Sequence, residues 1–577
     1  MSIVTACPLD CYDACEIIYE KKIYPKKEGH TQGFLCPHMN HYESQNFLQT
    51  PMYKGEKISM EEAIEILKKM LGSTQKEKIL HYRSSGNFGL MQEVVDHFFA
   101  SYGATLTDGS LCDGAGAAGI EEGRGSNKNM PLSEIAKSEV VIIWGRNPHT
   151  TSSHLLPLLK EKTLIVIDPV KTDIAKMADL HIQIKPHGDI YLAMLLTRFL
   201  HIEGSCDEEC LENFGSEFDD FYELTQSIRI KAILDLIGVS LGQIGDILHF
   251  IQDKKVSIVV GVGVQKYRDG ADVLRAIDAF AFSRGLFGKE GCGVAYLGNS
   301  QEGIVSPFKR KAKRVSKVDT KFEDFETVFV QGANPLSQMP NSLHVKKSFE
   351  KVANKIYFGL FENETSMVCD LVIPAKTFLA KNDIRASYSH HALLEMPLVK
   401  EETKGISEYD LAKELCEEFD IEIQSEEEYL KHFRQYGVLN MEGTKEVDTR
   451  EDVPYQDGFD TDDGEFCFLE ELDFEMDMLE DFFLITPKSK TSLNSQFKRD
   501  KYAYLHPSLG VKEGEEVEII SEVGSVRLPV KLTEDVRGDC VLIYSGTPGV
   551  NNITPSYHSY EGKSACFQDL KVKIKKD

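Results

Sequence analysis

From Lys78 onward, short apolar runs rich in Val and Ile recur between stretches of helical period: KILHYRSSG, VVIIWG, TLIVID, SIVVGVGV, TVFVQG, KIYFGLF and DLVIPA. Runs that are apolar on both faces predict parallel strands covered by crossover helices on either side. The centre of the chain is therefore predicted to be α/β, built from one or two doubly wound sheets. Ahead of it, Ile17 to Tyr24 reads as a short β-hairpin arm. Ser59 then opens an amphipathic helix to Leu71, with Glu62 at the capping-box spacing. The most apolar long stretch, Ala232 to Ile251, is interrupted by Asp235, Asp246 and His249, which predicts a packed helix pair and no membrane insertion. Near the end, FFLITP, EEVEIIS, GSVRLPVKL and DCVLIYSG are separated by turn signals and predict a small β-barrel.

The strand pattern contains a duplication. VIIWGRNP, TLIVID and ADLHI recur as VFVQGANP, KIYFGL and CDLVI, and the Gly145–Asp179 and Gly332–Asp370 separations differ by only four residues. Two related α/β units are implied. A strand ending in Gly-x-Asn-Pro makes a tight turn at the carboxyl edge of the sheet, where open α/β folds bind ligands. Either copy alone is simply a good turn; recurrence with the same neighbours points to two related ligands or two halves of one. The expected organisation is a small amino-terminal domain (1–55), a first α/β unit (56–125 with 320–430), a second (126–319), an acidic connection (431–480) and the barrel (481–577).

At 577 residues the chain exceeds one core, in keeping with that division. A net charge of −27 argues against nucleic acid as a partner. Much of it falls between Glu401 and Asp481, expected as loops and exposed helix faces. Thirteen cysteines, an odd number, fit a reducing compartment better than a disulfide framework. A candidate ligand already at position 7 leaves no room for a leader, so a cytoplasmic location is expected.

Four of those cysteines form Cys7-x3-Cys11-x3-Cys15-x20-Cys36. Three thiols on one short loop and a fourth returning from a hairpin suit an iron-sulfur cluster, and the amino-terminal segment is expected to be an iron-sulfur domain. Zinc is the alternative, although zinc sites favour paired CxxC arms. A continuous buried element is opposed by Pro8 and by the polar Asp10, Tyr12 and Asp13. A fifth cysteine, Cys112, stands in the glycine-rich DGSLCDGAGAAGIEEGRG. Its G-x-G-x-x-G at Gly114, Gly116 and Gly119 is rejected as a dinucleotide fingerprint, because no apolar strand leads into it and no acidic residue is placed by a βαβ unit. Crowded glycines instead let backbone approach a bulky group. Cys206 and Cys210, one helical turn apart, read as a helix face. His187, Arg268, His390 and His391 could line a substrate path, but such residues are more often structural.

CPLDCYDAC with GFLCP, SLCDGAGAAG, WGRNP, IDPVKTDIAKMADLHIQIKP, GVGVQKYRDG with SRGLFGKEGCGVAY, QGANP and LITPKSKTSLNSQF resemble, in order, the molybdopterin oxidoreductases related to dimethyl sulfoxide reductase and formate dehydrogenase. The resemblance spans essentially the whole chain. It implies a molybdenum or tungsten ion held by two molybdopterin guanine dinucleotides, with one 4Fe-4S cluster on Cys7, Cys11, Cys15 and Cys36. Cys112 matches the position of the metal's protein ligand, with Asp113 beside it as a second catalytic candidate. Asn147 and Asp168 resemble the turn and guanine-binding aspartate of one nucleotide site, and Asn334 lies in the matching turn of the other. Ser85, Gln265, Thr486, Ser492 and Asn494 are implied as further cofactor contacts, as is His38, which stands where relatives often carry lysine. Formate dehydrogenases follow the metal ligand with histidine and carry an arginine in the segment matching Gly293–Gln301; this chain has Asp113 and GVAYLGNSQ there. The implied function is two-electron redox chemistry on a small substrate, with an electron-transfer protein or iron-sulfur subunit as partner. The alternatives are a non-redox hydratase of the same architecture and a pterin-free electron-transfer subunit.

Overall fold

Val140–Trp144 is buried at every residue because it lies in the middle of a five-stranded, all-parallel sheet. Its order is Leu180–Ile182, Thr163–Ile167, Val140–Trp144, Val256–Val260, Gly293–Ala295. The chain winds outward in one direction from Val140–Trp144 and in the other from Val256–Val260, so the topological switch lies between these two strands. An eight-stranded sheet repeats the plan: its switch lies between Ile79–Arg83 and Thr327–Gln331, which pair in parallel. Ligands of open α/β sheets bind at such points, beyond the carboxyl ends of the strands. Both Gly-x-Asn-Pro turns leave the sheet there. The computed structural model describes residues 2–29, 32–84, 89–128, 130–402, 404–439, 450–472 and 481–576.

The larger sheet reaches beyond the ranges expected of the first unit. Met52–Tyr53 pairs antiparallel with Leu371–Pro374, and Arg314–Ser316 pairs in parallel with Thr105–Asp108. The predicted hairpin forms from Glu16–Tyr19 and Ile23–Pro25, with Ile3–Ala6 added as a third antiparallel strand. Ser59 and Glu62 form the capping box, with Glu62 N donating to Ser59 Oγ at 3.1 Å and Ser59 N to Glu62 Oε2 at 2.9 Å. Ile230–Ile237 and Leu241–Ile251 are a helix pair bent by 89° at Gly238, whose φ of 70° ends the first helix. Among the described residues, no single helix is long and apolar enough to cross a membrane.

A short strand, Thr105–Asp108, does lead into the glycine-rich segment, and Gly114–Arg124 is a helix. The glycines nevertheless serve packing: a Cβ on Gly119 would stand 2.2 Å from the carbonyl oxygen of Ala271, so only glycine lets this helix approach Gly270–Ser283 so closely. The acidic connection also differs from an all-solvated loop. Phe459, Phe466 and Phe468 are buried, with Phe466 stacked 5.1 Å from Phe282 and Phe459 5.5 Å from Phe287. These aromatic anchors hold the described part of the segment to the second unit, while Asp457, Asp460, Asp462, Asp463 and Glu470 are exposed; the acids from Asp473 to Glu480 lie outside the described residues. Six strands, Phe482–Ile485, Ala503–Leu505, Glu516–Ile520, Ser525–Leu532, Cys540–Leu542 and Lys571–Lys576, close a barrel at the carboxyl end.

Candidate active site

The cysteine loop is closed by Cys7 N donating to Cys15 O at 2.8 Å, and Cys36 stands at the N-cap of the short helix Pro37–Asn40. All four thiols are free and line one cavity of about 1240 Å³. Burial pushes the Cys7 thiol up to about 12, helped by neighbouring Cys36, and burial likewise raises Cys11, Cys15 and Cys36. Buried thiols this close ionise together only when a cation compensates them, as a metal does by deprotonating its ligands. The loop is clamped from both units. The buried Arg385 donates from Nη2 to the carbonyls of Leu9 at 2.9 Å and Cys11 at 3.2 Å, while the Arg146 guanidinium lies 4.1 Å from the Tyr12 ring centroid. His38 lines the same cavity; burial lowers its pKa, so it presents a neutral ring where a lysine would present a fixed charge.

Cys112 lies in the turn between Thr105–Asp108 and the helix Gly114–Arg124. Ser110 Oγ accepts from Cys112 N at 2.9 Å and Asp113 N at 3.2 Å, and donates to Asp113 Oδ1 at 3.0 Å. Lys266 Nζ donates to the carbonyls of Leu111 at 3.0 Å and Cys112 at 2.7 Å. Gln265 donates to the Cys112 carbonyl and accepts from Gly116 N at 2.9 Å, so it braces the turn from behind. Burial, then Asp113, pushes the Cys112 thiol up to about 11, while Lys266 and Lys488 pull it down. Asp10, on the cysteine loop, lines the cavity; burial raises its carboxyl, against the pull of Lys488 and Arg385.

The two Gly-x-Asn-Pro turns match bond for bond. Gly145 N donates to Ile167 O and Gly332 N to Phe358 O, each at 2.8 Å; Leu164 N donates to Asp179 Oδ2 at 2.8 Å and Lys355 N to Asp370 Oδ2 at 2.9 Å. Asn147 and Asn334 each sit at an N-cap with proline next. The equivalence ends at the side chains. Asn334 is saturated: it donates to Glu364 Oε2 at 2.8 Å and Ser495 Oγ at 3.1 Å and accepts from Thr365 Oγ1 at 2.9 Å. Asn147 Oδ1 is buried on the cavity wall with no partner among the described residues. Asp168, which burial raises to about 7, follows the Ile167 strand end, whereas Gly359 holds that place after Phe358.

Thr486, Ser492 and Asn494 line the cavity from the barrel side, so it joins the cysteine loop, Cys112, Asp113 and both turns. Ser85 lies outside the described residues. Cys206, Cys210, His187, Arg268, His390 and His391 are not on the cavity wall. Sequence reasoning missed Asp10, Arg146, Lys266, Arg385 and Lys488 as site residues. Lys266 and Lys488 stand inside motifs already singled out, GVGVQKYRDG and LITPKSKTSL, and a lysine within each motif was the available signal.

Residues 48–418 match the family model "Molybdopterin oxidoreductase", and residues 482–569 match "Molydopterin dinucleotide binding domain". The chain is 27% identical to "Probable oxidoreductase YyaE" of Bacillus subtilis (strain 168), over 99% of both proteins. It is 24% identical to "Formate dehydrogenase H" of Escherichia coli (strain K12), over 65% of this chain and 62% of that protein. It is 23% identical to "F420-dependent formate dehydrogenase subunit alpha" of Methanocaldococcus jannaschii, over 69% of this chain and 66% of that one. In fold it is similar to "Acetylene Hydratase from Pelobacter acetylenicus", with a TM-score of 0.82, 15% identity and full coverage of both chains.

Proposed function

The chain belongs to the molybdopterin oxidoreductases, and from that premise we propose that it carries out two-electron redox chemistry on a small substrate at a molybdenum or tungsten centre. Two pterin guanine dinucleotides would hold the metal, with Cys112 as its protein ligand. A 4Fe-4S cluster on Cys7, Cys11, Cys15 and Cys36 would relay single electrons to a partner protein in the cytoplasm. The observation that carries this reading is the single cavity that the four amino-terminal thiols, Cys112 and both duplicated turns share. The residues fit such a group. His38 Nε2, Asn147 Oδ1, His149 Nδ1 and Gln338 Nε2 are buried on its wall without partners among the described residues, which is costly unless a polar ligand meets them.

When bound, the metal and its pterins supply the two-electron chemistry. The chain's own part is placement. Ser110, Gln265 and Lys266 fix the Cys112 turn, and Lys266 and Lys488 put positive charge beside the thiol. Asn147 and Asp168 would receive one guanine nucleotide; Asn334, already saturated, would shape the second site through its turn. Asp10 supports a second reading, a hydratase, because a half-buried carboxyl raised above the usual range near Cys112 suits proton donation.

Metal and nucleotide analysis of protein from a cofactor-competent host tests the proposal. Four irons, one molybdenum or tungsten and two guanine nucleotides per chain are expected; absence of pterin overturns it. Cys112→Ala should abolish turnover and leave the cluster's spectrum unchanged, and surviving turnover would reject Cys112 as the ligand. Substrate-dependent bleaching of an artificial electron carrier separates redox from hydration.

A further inference from the structure

Behind the cysteine loop lies a buried ion pair that none of the roles above uses. His154 comes from the short helix Ser153–Leu159, just beyond the Gly145–Pro148 turn, and its side chain is 0% exposed; that of Asp13 is 4% exposed. His154 Nδ1 is 2.8 Å from Asp13 Oδ2, which also accepts from His154 N at 3.2 Å. His154 Nε2 is 3.1 Å from the carbonyl oxygen of Phe34, whose ring stacks on the imidazole at 4.2 Å. Both ring nitrogens therefore face acceptors, the arrangement in which an imidazolium set against a carboxylate makes both bonds.

Cys15 Sγ touches this ring. It stands 3.4 Å from Nδ1 and 3.9 Å from Nε2. A donor axis in the ring plane would bring one nitrogen close and hold the other far off, so near-equal distances place the sulfur against the ring face. The contact is thus one of ring face with sulfur, and the ring nitrogens remain with Asp13 and Phe34. The other carboxylate oxygen, Asp13 Oδ1, is buried without a partner among the described residues, and Asp13 lines the cysteine cavity. Asp13, Cys15 and His154 also have the spacing of a single-metal site. Cys15, however, is one of the four thiols of the loop.

We infer that Asp13 and His154 form a charge pair that sets the reduction potential of the cluster, the carboxylate lowering it and the imidazolium raising it. The inference rests on the cluster assignment proposed above. A reduced cluster carries one more negative charge, which a nearby carboxylate opposes and a nearby cation favours, strongly in a dry interior. Asp13 and His154 act through the cluster and are positioning residues, not catalytic ones.

The test is a potentiometric titration followed by electron paramagnetic resonance on full-length protein purified without oxygen, with iron counted in every sample. Asp13→Asn should raise the midpoint and His154→Gln should lower it, each by about tenfold in the reduction equilibrium, or about 59 mV for one electron. The double variant should fall between them. Loosened packing would move both single variants the same way, so opposite signs support the pair; equal signs, or two unmoved midpoints, overturn it. Where one variant does not keep its irons, the other decides: a fall for Asp13→Asn or a rise for His154→Gln overturns the pair. Iron missing from the unaltered protein would instead reject the cluster.

Discussion

Lys266 holds Cys112 through its backbone and acts on its thiol through space: the ammonium donates to the Cys112 carbonyl at 2.7 Å while its charge pulls the thiol down against burial. The lysine is itself half-buried, and its loss of solvent lowers its own pKa. Lys266 thus contributes to both placement and charge at the proposed metal ligand, beside Ser110 and Gln265 for the one and Lys488 for the other.

Lys266→Met should therefore raise the Cys112 thiol further, by about one unit or more, since an opposite charge within a few ångströms is worth about that much. In cofactor-free protein, alkylation of Cys112 by iodoacetamide, followed by peptide mass spectrometry across pH 7–10, should shift to higher pH. Lys266→Arg keeps the charge and should stay near the unaltered protein. An unmoved profile for Lys266→Met would show that Lys488 alone supplies the pull.

Asp168 carries a pH signature. Burial raises its carboxyl to about 7, and the neighbouring Asp189 is raised to about 6 by the same cause. A carboxyl whose pKa is higher in the folded state favours folding below its unfolded value, and that advantage is lost as pH rises through the folded value. Cofactor-free protein should thus lose stability at this site between about pH 4 and pH 7, by up to about 1.4 kcal/mol per unit. Asp168→Asn should flatten the dependence and leave the protein more stable than the original at pH 8 but not at pH 4. Melting temperatures measured against pH for both proteins check this.

What the sequence made legible follows from where each feature's partners lie along the chain. The repeat around Asn147 and Asn334 could be read because each strand, turn and capping residue is specified within a few tens of residues, and the bonds at Gly145 and Gly332 answer to that local pattern. The four cysteines could be read because three share one loop. Arg385 bonds a loop 374 residues away at Cys11, and His154 meets Asp13 across 141 residues, so no local spacing encodes either. Gln265 sits in a recognisable motif, yet only packing decides that it braces Cys112 from behind while Lys266 faces the cavity. The saturation of Asn334 depends on Glu364, Thr365 and Ser495, three residues from two segments that no turn rule names.

Arg124 ends the helix that begins just after Cys112, and its Nε donates to Asp278 Oδ2 at 2.7 Å in a fully buried pair between that helix and Gly270–Ser283. Its guanidinium also lies 4.7 Å from the Phe287 ring centroid. Arg124→Met strands a buried carboxylate and Asp278→Leu strands a buried cation, and each should cost about 3–5 kcal/mol. The double variant leaves no uncompensated charge and should cost clearly less than the sum. Trp144, the only tryptophan in the chain, sits in the central strand of the same unit and bonds to Asp189 at 2.7 Å, so its fluorescence reports this unit's unfolding in urea. Midpoints that fall for both single variants and recover in the double variant are expected; additive losses would show that packing against Phe287, and not charge pairing, makes Arg124 necessary.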